Sequence, residues 1–142
     1  MEVKPREGIA ILSGRYEILH GGHIKTIRRF AREYVLLYVY VVSNPDSIVP
    51  NQWTVELIQF CTMDLGNVQV VLNACHFGRA TSADIADLPL HDVFLSCNPQ
   101  VTKCLRNLGE NVREFEPTAG YSSSSYKERL VMEATKDWRK SP

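Results

Sequence analysis

The stretch Gly14 to His23, GRYEILHGGH, sets two histidines three positions apart with two glycines between them. It follows a short apolar run, Gly8 to Ser13, GIAILS, and precedes a segment of helical periodicity. Gly21 and Gly22 let the backbone bend and let a ligand come close. A helix starting there would offer N–H groups without intrahelical partners and the positive end of the helix dipole, a combination that suits anions. Two imidazoles added to it would be donors aimed at phosphate oxygens. Imidazole titrates near neutral pH, so a bound phosphate would favour its charged form. Two other readings use the same residues. They can be polar loop histidines with no ligand. A zinc site fits less well, because no cysteine stands at ligand spacing from them.

Two later segments hold residues of comparable chemistry. Ser96 to Pro99, SCNP, follows an apolar run, and Asn98 before Pro99 is the favoured order for opening a helix. Tyr121 to Lys127, YSSSSYK, brings serines and a lysine ahead of a last helical segment. There Ser125-x-x-Glu128 is a capping box in its own right. Capping alone accounts for both segments. It is compatible with binding, since a helix start at a strand end is also where anions bind.

The elements that must position these groups follow from periodicity. Gly8 to Ser13 reads as a buried strand that stops at Gly14. From Gly22, residues Ile24, Ile27, Phe30 and Ala31 fall on one helical face, with Lys25, Arg28, Arg29 and Arg32 mostly off it. Tyr34 to Ser43, YVLLYVYVVS, is β-branched and aromatic, as a central parallel strand covered on both faces would be. After the proline-marked NPDSIVPNQ, Trp53 to Leu65 predicts a helix closed by Gly66, and Val68 to Leu72 a third strand. HFGRATSADIADLP reads as irregular with room for one short helix, and His91 to Ser96 as a fourth strand. A helix from Asn98 ends at Gly109, Val112 to Phe115 gives a short fifth strand, and Tyr126 to Thr135 a final helix. Residues 1–7 and 136–142 read as frayed tails of a single domain spanning residues 1–142.

Alternating strands and helices without repeats or linkers predict a three-layer α/β domain, a Rossmann-like doubly wound parallel sheet of about five strands. In such sheets ligands bind beyond the carboxyl ends of the strands, where the strand order switches. The histidine loop, the Ser96–Pro99 segment and the Tyr121–Lys127 segment all fall at such ends. Composition agrees with a globular chain: 142 residues, 44% hydrophobic and 23% charged. The zero formal net charge does not indicate a broad grip on nucleic acid or an anionic membrane. No apolar run approaches the roughly 18 residues of a membrane span, and the polar start MEVKPREG is unlike a signal peptide. A cytoplasmic protein is the expectation. Cys61, Cys75, Cys97 and Cys104 form no CxxC pair and read as reduced thiols.

On these residues the chain resembles the HxGH nucleotidyltransferase superfamily, the cytidylyltransferase-like group that joins a nucleoside monophosphate to a phosphate-bearing acceptor. Gly14-Arg15 is more similar to the adenylyltransferase form of the motif, GRFQPxHxGH, than to the cytidylyltransferase form, GTFDxxHxGH. DVFLSCNPQV, Asp92 to Val101, is similar to the SGNPxV segment of archaeal-type nicotinamide mononucleotide adenylyltransferases, and YSSSSYKERL, Tyr121 to Leu130, to the closing YSxTxIR motif. The three occur in the family's order and span roughly residues 8 to 130. The resemblance implies direct in-line attack by the acceptor's phosphate oxygen on the α-phosphorus of a nucleoside triphosphate. Pyrophosphate leaves, and the protein positions and stabilises charge. It implies ATP and nicotinamide mononucleotide as substrates, NAD as product, and a magnesium ion travelling with the triphosphate.

Carried over by position, His20, His23 and Lys127 would stabilise the transferring phosphates. Gly14, Arg15 and Gly22 would serve the first phosphate loop, and Ser96, Asn98 and Pro99 the nucleotide pocket. Tyr121, Ser122, Ser124 and Ser125 would hold the outer phosphates. Trp53 and Phe77 would face the acceptor, although core packing is the simpler role for Trp53. His76 and His91 carry no motif and read as structural.

Several positions depart from the family pattern. Lys127 stands where the family has arginine, which keeps the charge and loses the planar fork. The residues after Trp53 include Glu56 and Leu57 and no arginine, Asp46 replaces a lysine, and no tryptophan follows the third strand. These differences fall on the acceptor and on the outer phosphates. Two other outcomes therefore stay open: a cytidylyltransferase or other HxGH transferase with a different phosphate-bearing acceptor, and a nucleotide-binding protein without catalysis. Against the former, no RTxGIS segment is present, and Pro117 to Ser122 reads PTAGYS. Relatives assemble as oligomers, which implies a homo-oligomer here.

Overall fold

A computed structural model describes residues 7–14, 16, 19–43, 49–73 and 75–117 of the chain. Five strands alternate with helices: β1 (Glu7–Gly14), α1 (Gly21–Glu33), β2 (Tyr34–Val42), α2 (Asn51–Thr62), β3 (Val68–Asn73), α3 (Ser82–Ala86), β4 (Val93–Ser96), α4 (Pro99–Asn107) and β5 (Val112–Glu114). A 3-10 turn, Phe77–Arg79, precedes α3. The sheet is parallel throughout, in the order β3-β2-β1-β4-β5. The chain winds outward from β1 to β3, then returns to the other side of β1 with β4. The switch in order lies between β1 and β4, so the crevice expected in a doubly wound sheet opens beyond Gly14 and Ser96.

Strand alternation builds the two cores. Ala10 and Leu12 of β1 face one side, with Leu37, Val39 and Val41 of β2, and are covered by Ile27 and Phe30 of α1 and by Val55 and Ile58 of α2. Ile11 faces the other side with Tyr40 and Phe94, covered by Val101 and Leu105 of α4 and by Phe77. Burial on both faces is why these strands read as near-continuous apolar runs. Caps fix where helices start. Asn98 Oδ1 accepts from Gln100 N at 2.9 Å with Pro99 at the first helical position, and Thr81 with Asp84 forms a capping box on α3.

Several boundaries move. α2 runs Asn51–Thr62 instead of Trp53 to Leu65, with Pro50 at the N-cap position ahead of its first turn. The irregular stretch holds two short helical pieces, each with its own cap, where one was expected. β4 begins at Val93, not His91. The His91 ring is held instead by Pro89 O at 2.8 Å and Glu110 Oε2 at 3.2 Å, a structural role. β1 starts at Glu7, one residue inside the stretch read as tail, because that residue pairs with Tyr34. The helix expected at Tyr126 to Thr135 lies outside the described residues, as do residues 1–6 and 136–142. The four cysteines are free thiols. Among the described residues no helix is long and apolar enough to cross a membrane.

Candidate functional site

The loop from β1 delivers the two histidines to the first turn of α1. His20 is the N-cap, extended at φ −137° and ψ 175°, and its carbonyl accepts from His23 N at 3.1 Å and Ile24 N at 3.3 Å. Its ring completes the cap: Gly22 N donates to His20 Nδ1 at 3.1 Å. His23, three residues on, returns the contact, with His20 N donating to His23 Nδ1 at 3.3 Å. This is a capping box in which two imidazoles replace the usual hydroxyl and carboxylate. The rings stack at 3.8 Å between centroids, 19° from parallel.

The box fixes the chemistry of both rings. A backbone N–H must donate, so each Nδ1 carries no proton and each ring holds its proton at Nε2. An imidazolium would have a proton on both nitrogens and could not cap. Burial works in the same direction. It lowers the His20 pKa, and burial together with the neighbouring His20 ring lowers that of His23 to about 4. The fold therefore holds both rings neutral at pH 7, where the free imidazole pKa alone suggested a form ready to charge. No acidic residue occupies the first turn of α1, so the helix's own first turn does not offset the positive end of its dipole.

Acidification follows from these shifts. Both folded pKa values lie below the unfolded value of about 6.5, so below that pH the unfolded chain binds more protons and stability falls. The contribution is present in full above pH 6.5 and is lost as pH drops towards 4. Urea midpoints at pH 7 and 4.5, read beside the ring C–H shifts of both histidines, are expected to fall as the rings protonate.

Tyr16 ties this loop to the rest of the crevice, and sequence reasoning passed over it. Its backbone sits at φ 48°, a conformation that costs energy in a residue with a Cβ, and its side chain is only 8% exposed. The ring meets His23 edge-on at 5.0 Å. Burial, with Cys97 nearby, pushes the hydroxyl pKa well up, so it stays protonated. The residue thus spans from the end of β1 to the segment after β4. A signal was present: Tyr16 stands where the quoted motif has phenylalanine. Gly14 is explained by the same ring, because a Cβ there would come within 2.8 Å of it. The close approach that Gly14 permits is of Tyr16. Gly14→Ala is expected to cost about 1–3 kcal/mol by overpacking and to shift the His23 ring resonances, checked by thermal unfolding and NMR.

The segment after β4 is held from within. Ser96, buried, donates from Oγ to Asn98 O at 3.0 Å and accepts from Asn98 N at 3.2 Å and from Thr102 Oγ1 at 2.9 Å. The Ser96 hydroxyl is thereby committed to shaping the turn, as is the Asn98 carboxamide oxygen to capping α4. Beside them a cavity of about 580 Å³ opens at the ends of β4 and β5, walled by Cys97, Asn98, Pro99, Phe115 and Glu116. Burial raises the Cys97 thiol pKa, and Glu116 adds to it, so the wall carries a neutral thiol and the carboxylates of Glu114 and Glu116.

Of the other expected residues, Arg15, Tyr121, Ser122, Ser124, Ser125 and Lys127 lie outside the described residues. Gly22 is buried in the first turn of α1 and supplies a capping N–H. Trp53 is on the outer face of α2, 61% exposed, where the simpler reading had placed it in the core. Phe77 needs correction: it is 1% exposed, packed against Tyr40 and Phe94 at ring distances of 5.9 and 5.3 Å, so its ring presents no face to an acceptor. His76 caps the 3-10 turn, accepting from Gly78 N at 3.1 Å, a structural role as expected. Among the described residues no group of three histidines, cysteines or carboxylates is placed to hold a metal. No family model matches the chain, and no curated protein matches it.

Proposed function

We propose that the crevice between β1 and β4 binds a nucleoside triphosphate and transfers its nucleotidyl group to a phosphate-bearing acceptor, with ATP and nicotinamide mononucleotide as the pair that fits the motif. The reciprocal histidine cap at the N-terminus of α1 carries this reading. It leaves two stacked, neutral imidazoles with their protons on Nε2, at a helix end whose dipole favours anions. The acceptor's phosphate oxygen forms a bond to the α-phosphorus as the bond from that phosphorus to the bridging oxygen breaks, and pyrophosphate leaves. The α-phosphate oxygens gather charge in the transition state, and the two Nε2–H donors stabilise it there. Because the rings donate while neutral, they do so without titrating between pH 7 and 9.

The cavity beyond β4 and β5 suits the nucleoside part. Two carboxylates and a neutral thiol repel or ignore phosphate and accept hydrogen bonds from hydroxyl or amino groups. A magnesium ion would be held by the triphosphate's own oxygens and water, the usual arrangement for this ion, and would neutralise charge on the departing pyrophosphate.

The test is product formation with magnesium and either ATP or CTP, against nicotinamide mononucleotide, nicotinate mononucleotide, glycerol 3-phosphate and phosphocholine, with pyrophosphate followed in parallel. NAD from ATP is the expected result. A product only from CTP would replace adenylyl by cytidylyl transfer. Nucleotide binding without product in any mixture would reduce the proposal to a binding protein.

A further inference from the structure

Among the described residues Tyr16 is the one non-glycine with a positive φ. A residue with a Cβ holds that conformation at a cost, so the contacts around it must keep it there. Glycine would make the same bend without the cost. What the bend achieves therefore lies in the ring. It turns the ring back over the end of β1, where three of its carbons lie 2.8 to 3.1 Å from the place a Cβ on Gly14 would take. Tyr16 is also part of the buried cluster on the α1 side of the sheet, with Leu12, Ile27 and Leu37.

We propose that Tyr16 is a positioning residue, whose ring sets the plane of the His23 imidazole and with it the direction of the Nε2–H donor in the crevice. The proposal rests on the reading of His23 as a donor to the transferring phosphate. The cap bond from His20 N reaches one ring atom, His23 Nδ1, at 3.3 Å. A bond to one atom fixes where that atom lies and leaves the plane to turn about it. Packing sets the plane. The His20 ring lies stacked on His23 at 3.8 Å and 19°. The Tyr16 ring stands at 88° to the His23 plane with centroids 5.0 Å apart, the edge-to-face arrangement that aromatic pairs favour.

Nε2 lies across the ring from Nδ1, so a small turn about the cap moves the donor most. The two stacked imidazoles belong to one capping box and would swing together. Tyr16 ties them to parts of the fold that do not swing, the backbone at the end of β1 and the core below it. A donor misplaced by about 1 Å costs on the order of 10²-fold in rate. The strain at residue 16 is thus the local cost of holding a ring where the reaction needs one.

The test joins kinetics of Tyr16→Leu and Tyr16→Phe in the full chain with NMR of the histidine rings in the absence of nucleotide. Leucine keeps an apolar side chain in the core and removes the flat wall. Its kcat is expected to fall about 10- to 100-fold, with KM for the triphosphate changed far less. The nuclear Overhauser contacts between the His20 and His23 rings should weaken, while His76, the cap of the 3-10 turn, keeps its wild-type resonances as a check on folding. Phenylalanine restores the wall, and with it the rate and the ring contacts. Gly14→Ala displaces the ring without removing it and is expected to act like leucine, which covers a Tyr16→Leu chain that fails to fold. Ring contacts unchanged in both Tyr16→Leu and Gly14→Ala would overturn the proposal, as would contacts that weaken with kcat intact. A wild-type chain without transfer activity would remove the reading of the crevice instead, and the ring contacts would still decide whether Tyr16 sets the His23 plane.

Discussion

The paired substitution His20→Ser with His23→Glu is expected to keep the fold and lose the transfer reaction. It converts the imidazole box into the common Ser-x-x-Glu box, which satisfies the same two N–H groups of α1. Unfolding midpoints should therefore stay within a degree or two of wild type, or rise. Yet serine reaches only as far as the capping atom, not to the position of Nε2 across the ring, and the carboxylate at residue 23 repels phosphate. Removing one such donor costs about 10²–10³ in kcat, so the pair should lose at least that. His20→Ala separates the two effects from the other side. It removes the donor and the cap together, costing about 1 kcal/mol in stability as well as the rate. If the Ser/Glu variant turned over like wild type, the histidines would be caps and nothing more.

Phe77→Ala carries the largest expected cost to stability. The ring is buried between Tyr40 and Phe94 in the core on the α4 side of the sheet, and truncation should cost about 3–5 kcal/mol. That is a large share of the roughly 5–15 kcal/mol that holds a domain of this size together, so the midpoint in urea should fall steeply. The milder Phe77→Leu keeps an apolar side chain there and should fall between wild type and alanine. Its KM for the acceptor should be unchanged, because the ring does not face the crevice. A KM rising tenfold in Phe77→Leu with kcat intact would restore the acceptor role to this position.

The layout of the domain was legible because strands buried on both faces must be apolar almost throughout, as in YVLLYVYVVS. Asn98-Pro99 was equally plain, since cap and proline act locally. α2 was legible as a helix but not in its orientation. NQWTVELIQFCT is apolar on two faces, and periodicity does not say which one meets the sheet. The histidine pair was found by its spacing, but its protonation was not. A His-x-x-His box lies outside the Ser/Thr-x-x-Glu/Gln signature, and only the positions of the Nδ1 atoms reveal it. The motif's aromatic position points to Tyr16, but its strained backbone is not legible, because a positive φ at a tyrosine has no sequence signal, unlike one at glycine. Phe77 misled for a related reason: an aromatic at the right place in the chain can point into the core or into a site, and tertiary packing decides.

The most direct measurement is the NMR response of the His20 and His23 rings, observed through their ring nitrogens, as magnesium ATP is added at pH 7.5. The account predicts neutral rings protonated at Nε2 from the start, with Nδ1 shifts characteristic of an acceptor. Both Nε2 resonances then move saturably with nucleotide while the rings stay neutral. Rings that do not respond to millimolar nucleotide, or that are already protonated on Nδ1, would contradict it.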